Sequence, residues 1–313
     1  MSALDETEGL QAGDEPPAAV TAPPPRCSRR RLCFAALATA LIGALVVVLL
    51  IVFATNPSEL PPPCVAGCSN FSHAAWTGVL AAHLRPSSRS GVSYVGFDYE
   101  GLRADPSEFR KYLQQLAAAD LRVLGSAERK ALFINAYNAL TVRKLLDECG
   151  SGLCGSILDL SGVVSVWGQP AGQVGGAGSD RLYSLDDIEH VVLRPTYNDA
   201  RIHASVVCAS VSCPDLAPAA FEVKTLDQQL DEQTGAWLAN PSKGLSVDQS
   251  AAGNSMVLSK IFDWYSADFE AEPGGNLGFV ARHAPSGVAA WLGGGASPSL
   301  SYFNYDWSVN SAS

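Results

Sequence analysis

The feature that most constrains this chain is residues 32–54, LCFAALATALIGALVVVLLIVFA, which is 23 residues without a charge. A helix of that length crosses the hydrocarbon core of a bilayer with some tilt. Every face is apolar, as in a membrane span rather than a helix with one solvated side. Arg26, Arg29, Arg30 and Arg31 precede the run, and the next Lys or Arg after it is Arg85. That asymmetry predicts a cytosolic N-terminus and a lumenal or extracellular C-terminal domain, the single-pass type II arrangement with a signal-anchor. A cleaved signal peptide ending at Val52-Phe53-Ala54 is the rival reading. The run is longer than a signal's apolar region and follows a 31-residue acidic tail, so an uncleaved anchor is favoured.

The span divides the chain of 313 residues. Residues 1–31 form a polar, proline-containing tail that lacks the apolar content to pack. Cys27 and Cys33 flank the span, where cysteines are open to palmitoylation or stay unmodified. Residues 55–63, TNPSELPPP, read as an extended polyproline spacer holding the following domain off the bilayer. Residues 64–313 are near the upper size for one hydrophobic core. The net charge is −10; removing the tail's four arginines and five acids from totals of 21 basic and 31 acidic residues leaves 17 and 26. With no basic block, nucleic acid is not an expected partner, because phosphate binding needs clustered cations; the membrane is the one expected partner.

Six cysteines lie beyond the span: Cys64, Cys68, Cys149, Cys154, Cys208 and Cys213. An even count in an extracytoplasmic domain predicts disulfides. Local pairing is the simplest of the fifteen connectivities that six cysteines allow, and spacing does not choose among them. Asn70-Phe71-Ser72 is a glycosylation sequon, so a glycoprotein is expected.

Apolar spacing predicts helices over 72–85, 105–119, 126–146, 225–239 and 259–269. Ser126 reads as an N-cap, and Ser184 with Asp187 as a capping box before IEHVVL. Strands are predicted at VSYVGFD (92–98), RIHASVVC (201–208) and the terminal SYFNYDW, with GQPAGQVGGAGSD as a hairpin tip between Trp167 and Tyr183. Helices and short strands interleave without βαβ regularity, so the expected class is α+β, one globular ectodomain after one transmembrane helix.

Several phrases resemble one family, catalogued as domain of unknown function 547. They are FINAYNAL (133–140), SLDDIEH (184–190) with Arg194, RIH (201–203) leading to CASVSCP (208–214), LDQQL (226–230), SKIFDWY (259–265) with Asp268-Phe269, and Tyr305-Asp306-Trp307. The order and spacing resemble the family over about 105–310. The resemblance implies no settled activity. Val207 stands where the family would lead one to expect a polar residue, often Asn, and the glycine-rich stretches near 150 and 174 also depart from its pattern.

The sharper chemical expectation is a cysteine-dependent hydrolase or acyl-transfer enzyme. A thiol nucleophile needs a base, and the base needs an orienting group. Cys208 or Cys213 supplies the thiol, His203 or His190 the base, and Glu189, Asp268 or Asp306 the orienting carboxylate. On a strand, His203 and Cys208 point to opposite faces. The competing expectation is a Cys208–Cys213 disulfide in a non-catalytic membrane-tethered binding or scaffold domain. A zinc site from His190, His203, Cys208 and Cys213 is disfavoured by its wide cysteine spacing, and no metal or cofactor is expected. Asn135, Tyr137 and Asn138 are either a substrate-binding set or a polar network bracing the core. Convergence of Cys208, Cys213, His190 and His203 in one open pocket would favour an enzyme.

Overall fold

The central element is a helix that the sequence makes apolar on almost every side. It runs Ser126–Glu148, and the apolar phrases LFINAYNAL and TV lie in its middle, so most of its side chains are buried. A helix wetted on so little of its surface belongs inside a fold. The structure, a computed structural model, describes residues 60–312 apart from Gly67, Ser69, Ser151, 177–180 and 251–252. The tail, the apolar span and residues 55–59 of the spacer lie outside the described residues. Among the described residues no helix is long and apolar enough to cross a membrane.

In chain order the elements are α1 (Ala74–His83), β1 (Leu84–Arg89), β2 (Val92–Phe97), α2 (Tyr99–Ala104), α3 (Ser107–Ala118) and α4 (Ser126–Glu148), then β3 (Pro170–Gln173) and β4 (Leu182–Ser184). A π-helix (Asp187–Leu193) runs into α5 (Arg194–Tyr197), followed by α6 (Ile202–Ser205), α7 (Leu226–Leu238), β5 (Leu245–Asp248) and β6 (Ser255–Leu258). The last are α8 (Ile261–Trp264), α9 (Ser266–Glu270), α10 (Gly275–His283), α11 (Ser286–Gly293) and β7 (Ser299–Tyr302). The described strands form two hairpins, β1–β2 and β3–β4, and a sheet in which β6 pairs antiparallel with β5 and parallel with β7. Mixed helix and strand in small antiparallel and mixed sheets make the class α+β.

Two apolar clusters form the core. One gathers α1, α3, α4 and the β3–β4 hairpin around Trp76, Tyr112, Phe133 and Ile188. The other gathers α7 to α11 around Trp237, Phe262, Phe269 and Phe279. The segment 200–209 contributes to both.

Three expectations need correction. RIHASVVC is not a strand: Ile202–Ser205 is a turn of helix, and only from Val206 does the chain extend. Its β-branched residues read as β, but the Asp199 carboxylate accepts the Arg201 N–H at 3.0 Å and the N–H groups of residues 202–204 bond three residues back, which winds the chain. The terminal strand ends at Tyr302, and Tyr305 to Trp307 follow outside it. The spacer is not wholly extended away from the domain. Leu60 packs against the first cluster, and the buried guanidinium of Arg129 donates to the carbonyls of Pro61, Pro62 and Leu121.

The π-helix has a local cause. Pro195 has no N–H, and its ring clashes with the carbonyl four residues back in an α-helix. Here the Arg194 N–H reaches back five residues to Glu189 O, the π pattern. The Ser184–Asp187 capping box forms as expected, with Asp187 N–H to Ser184 Oγ at 3.0 Å and Ser184 N–H to Asp187 Oδ2 at 2.9 Å.

Candidate functional site

The thiol segment is held from both sides. From α4, the Asn138 amide donates to Ser205 O and accepts from Val207 N–H, each at 2.8 Å. Beyond Cys208, the C-terminal stretch runs alongside: Asn310 N–H donates to Ala209 O (3.0 Å), Val211 N–H to Ser308 O (2.9 Å) and Asp306 N–H to Ser212 Oγ (2.8 Å). Between these clamps Ala209 sits in the left-handed region at φ +60°, a conformation costing a non-glycine residue about 1 kcal/mol. Strain of this kind at a reactive group points to a functional constraint.

This pairing carries Tyr305 to Cys208. Cys208 Sγ lies 3.2 Å from Tyr305 Oη and 3.1 Å from Ser210 Oγ, and Ser210 Oγ donates to Tyr305 Oη at 2.9 Å. The Cys208 N–H donates to Cys213 Sγ at 3.1 Å. Both cysteines are free thiols, whereas Cys64–Cys68 and Cys149–Cys154 are bonded. The expected disulfide candidates therefore divide: Cys208 and Cys213 are spaced like the others but are oriented for hydrogen bonding. Burial by itself raises the Cys208 pKa, but donors from Cys213, Ser210 and Tyr305 outweigh it and bring the thiol down to about 7. Burial, reinforced by Cys208, pushes the Cys213 thiol up.

Across the cavity stands a chain of charged groups. His203, on α6, donates from Nε2 to Asp268 Oδ2 at 2.7 Å. Its other nitrogen, Nδ1, faces Glu189 Oε1 at 3.8 Å. Arg194 grips Asp268 with two bonds of 2.6 and 3.0 Å. His203 and Arg194 hold the Asp268 carboxyl well below the usual carboxylate range. Arg194 Nη1 also donates to His190 Nδ1 at 2.7 Å. A guanidinium cannot accept, so this nitrogen of His190 carries no proton there. Its Nε2 faces Asp186 at 3.6 Å. The Tyr265 ring lies 4.1 Å from that of His203, and burial, reinforced by Glu189, raises its phenol pKa.

One cavity of about 110 Å³, open at its mouth, is lined by Cys208, Cys213, His190, His203, Glu189 and Tyr137, with Trp167, Trp264, Tyr265, Tyr305 and Trp307 along its walls. The structure thus brings together all five residues expected to carry catalysis. Having both His203 and Cys208 on this cavity follows from α6 being helical, which removes the strand's opposite-face constraint. Asp306 does not orient a histidine; its carboxylate accepts the Ser308 N–H at 2.8 Å. Of the expected binding set only Tyr137 lines the cavity. The Asn135 amide is spent on the Phe221 backbone (2.8 and 3.0 Å) and Asn138 on residues 205 and 207, so both brace the core. Ser210 and Tyr305 are the residues that sequence reasoning left unassigned. The Val207 side chain is buried in the first cluster, and hydroxyls from Ser210 and Tyr305 reach Cys208 instead. Among the described residues no group of three or more His, Cys, Asp or Glu is arranged to hold a metal ion.

Neither histidine hydrogen-bonds Cys208. The thiol's acidity comes from donors of Cys213, Ser210 and Tyr305, and the histidines occupy a different part of the lining. Fold and site together define an α+β domain with an acidic thiol on an aromatic-walled cavity and a histidine set between two carboxylates beside it. Residues 121–238 match the model of the family described as "Protein of unknown function, DUF547", the family that the sequence phrases resemble. No curated protein and no solved structure matches the chain. The matched span includes Glu189, His203, Cys208 and Cys213; Asp268 and Tyr305 lie beyond it.

Proposed function

We propose that the domain is a cysteine-dependent hydrolase or acyl-transfer enzyme with Cys208 as nucleophile. The observation that carries the reading is a free thiol on an open cavity, with hydroxyl donors placed to stabilise its thiolate near neutral pH. The Cys208 sulfur attacks the substrate's acyl carbon, forming a thioester as the bond to the leaving group breaks. The leaving group departs with a proton from the Glu189–His203 pair, with Asp268 and Arg194 fixing the ring. Water or a second acceptor then attacks the thioester and returns a proton to that pair, and Cys208 leaves as thiolate. A non-catalytic binding domain draws on one observation, the lack of a Cys208–histidine hydrogen bond.

The test offers the reduced protein p-nitrophenyl esters of short acyl chains. A burst of nitrophenol matching the protein concentration, with the acyl mass on the Cys208 peptide and both lost in Cys208→Ala, is the expected result. A reduced, folded protein that gives neither burst nor adduct would favour the binding reading.

The same reading keeps residues 32–54 as an anchor with the domain on the lumenal or extracellular side. The Cys64–Cys68 and Cys149–Cys154 disulfides support it, because such bonds persist in oxidising compartments. Asn70 is exposed, as glycosylation there requires.

A further inference from the structure

Cys208 and Cys213 are both free, and they are neighbours in space as well as in sequence. They stand five residues apart, the step that Cys149 and Cys154 close with a disulfide. A tight turn brings Cys213 back, its N–H donating to Ser210 O at 3.2 Å. The turn lays Cys213 Sγ against the segment the chain has just left. There it accepts the Cys208 N–H at 3.1 Å and lies 4.0 Å from Val206 O. Both cysteines line the same cavity, and the acyl chemistry proposed above makes no covalent use of Cys213.

The two thiols are not equivalent. Cys208 is half-buried on the open cavity, and its donors keep it partly thiolate near neutral pH. Cys213 is 2 % exposed and stays protonated, because burial raises its pKa and the Cys208 sulfur raises it further. A thiol that attacks first needs access and thiolate character, whereas one that acts second needs position. The order of events is built in. A Cys208 sulfur bonded to another sulfur carries no charge, so one cause that holds Cys213 protonated is then gone. The Cys208 N–H is placed to favour the Cys213 thiolate that results.

From two free thiols on one cavity, one reachable from its mouth and the other buried against the segment of the first, we infer that Cys208 and Cys213 form a dithiol–disulfide couple that reduces a disulfide presented at the mouth. The Cys208 thiolate attacks one sulfur of that disulfide. A mixed disulfide forms, and the other half leaves as a thiolate that takes up the Cys213 proton. The Cys213 thiolate then attacks the Cys208 sulfur, the mixed disulfide breaks, and the second half leaves as a thiolate that water protonates. The protein loses two electrons to the substrate disulfide, which ends as two thiols. The inference rests on Cys208 as the reactive thiol, as the proposed enzyme does, but not on acyl transfer. Closure also uses up the nucleophile, so the closed pair forms no thioester.

The test treats the full chain, with Cys208 and Cys213 reduced, with bis(2-hydroxyethyl) disulfide at neutral pH. This probe is small and uncharged, to suit a cavity of about 110 Å³ lined by Asp186 and Glu189. Samples are quenched with N-ethylmaleimide and digested with trypsin. Both cysteines fall on one peptide, residues 202–224, so its dithiol, mixed and closed forms differ in mass. The wild-type peptide should close, with the mixed disulfide passing at a low level. In Cys213→Ala the mixed disulfide on Cys208 should build up to roughly ten times the wild-type level or more, because the intramolecular step is gone. Cys208→Ala should react about tenfold more slowly than wild type, since the thiol that remains is buried and protonated. A lasting mixed disulfide in the wild type, adducts on both cysteines, or a Cys208→Ala protein that reacts as fast overturns the inference. So does a wild-type peptide still reduced when a model thiol has exchanged. If Cys213→Ala loses its thermal midpoint, the wild-type peptide decides: closure upholds the inference and a lasting adduct overturns it. A protein that closes without an acyl burst keeps this inference and loses the acyl reading. One that gives the burst but does not close does the reverse.

Discussion

Replacing Tyr305 by Phe should raise the Cys208 pKa by about one unit, and the structure shows why the shift stops there. Tyr305 Oη and Ser210 Oγ both lie within reach of Cys208 Sγ, but Ser210 spends its one proton on Tyr305 Oη. A hydroxyl has a single proton, so Tyr305 is the hydroxyl donor left for the sulfur. A hydrogen bond to a charged group contributes about 1.5–3 kcal/mol, or roughly one to two pKa units at about 1.36 kcal/mol each. Once the phenol is gone, Ser210 turns its proton to the sulfur and restores part of the loss, which selects the lower end of that range. The thiol would move from about 7 to about 8. At pH 7 the thiolate share falls from about half to roughly a tenth, and alkylation slows about fivefold. Phe keeps the ring that packs on Trp264 and Trp307, so the fold is not the variable. The assay follows iodoacetamide labelling of Cys208 by peptide mass between pH 5 and 10; the Cys149 and Cys154 peptides, bonded to each other, serve as the unlabelled control. Tyr305→Phe with Ser210→Ala should add about a further unit. An unchanged labelling midpoint in Tyr305→Phe would refute the argument. A native midpoint at an ordinary thiol's value, or a Cys208–Cys213 bond in the native protein, would refute its premise.

Two further outcomes follow from burial and charge. Asn138→Ala strips partners from the Ser205 carbonyl and the Val207 N–H, two groups in the buried segment ahead of Cys208; urea unfolding should show a loss of roughly 3 kcal/mol, and a loss under about 1 kcal/mol would mean water or a rearranged loop replaces the amide. Asp199 bonds both Lys130 and Arg201, and although burial raises its pKa, these two cations outweigh that and hold it down to about 2. Its folded pKa lies below the unfolded value of about 3.9, so its contribution is complete above about pH 4 and fades as pH falls toward 2. Asp199→Asn should therefore lower the thermal midpoint at pH 7, by the equivalent of roughly 2 kcal/mol, and change it far less at pH 2.

What the sequence reveals here is governed by how local each decision is. The stripe of Phe109, Tyr112 and Leu116 on α3 and the capping box at Ser184 depend on neighbours within a few residues, and both are legible. α6 is not, because Ile202, Val206 and Val207 vote for a strand while the Asp199 carboxylate and a run of three-back hydrogen bonds wind the chain into a turn. β5 to β7 are four residues each, too short for alternation to stand out, and β7 owes its place to pairing with β6, Ser299 lying opposite Ser255. The site divides in the same way. Cysteines, histidines and Glu189 announce themselves by type. Tyr305 does not, because its role arises only when residues 306–310 run alongside 209–212, a pairing across nearly one hundred positions. The π-helix had a visible cause in Pro195, but nothing local says that the chain will widen rather than break.

Arg129 ties the end of the spacer to the domain. Its guanidinium is buried near one end of α4 and is neutralised there by carbonyl dipoles, two of them from Pro61 and Pro62. A stretch whose composition reads as a leash is thus, at its last residues, a plug. A protein trimmed to begin at Cys64 would keep both disulfides and the cavity but would leave Arg129 with the Leu121 carbonyl alone. A cation's need for oxygen atoms thus makes Pro61 and Pro62, ahead of Cys64, part of the folded domain.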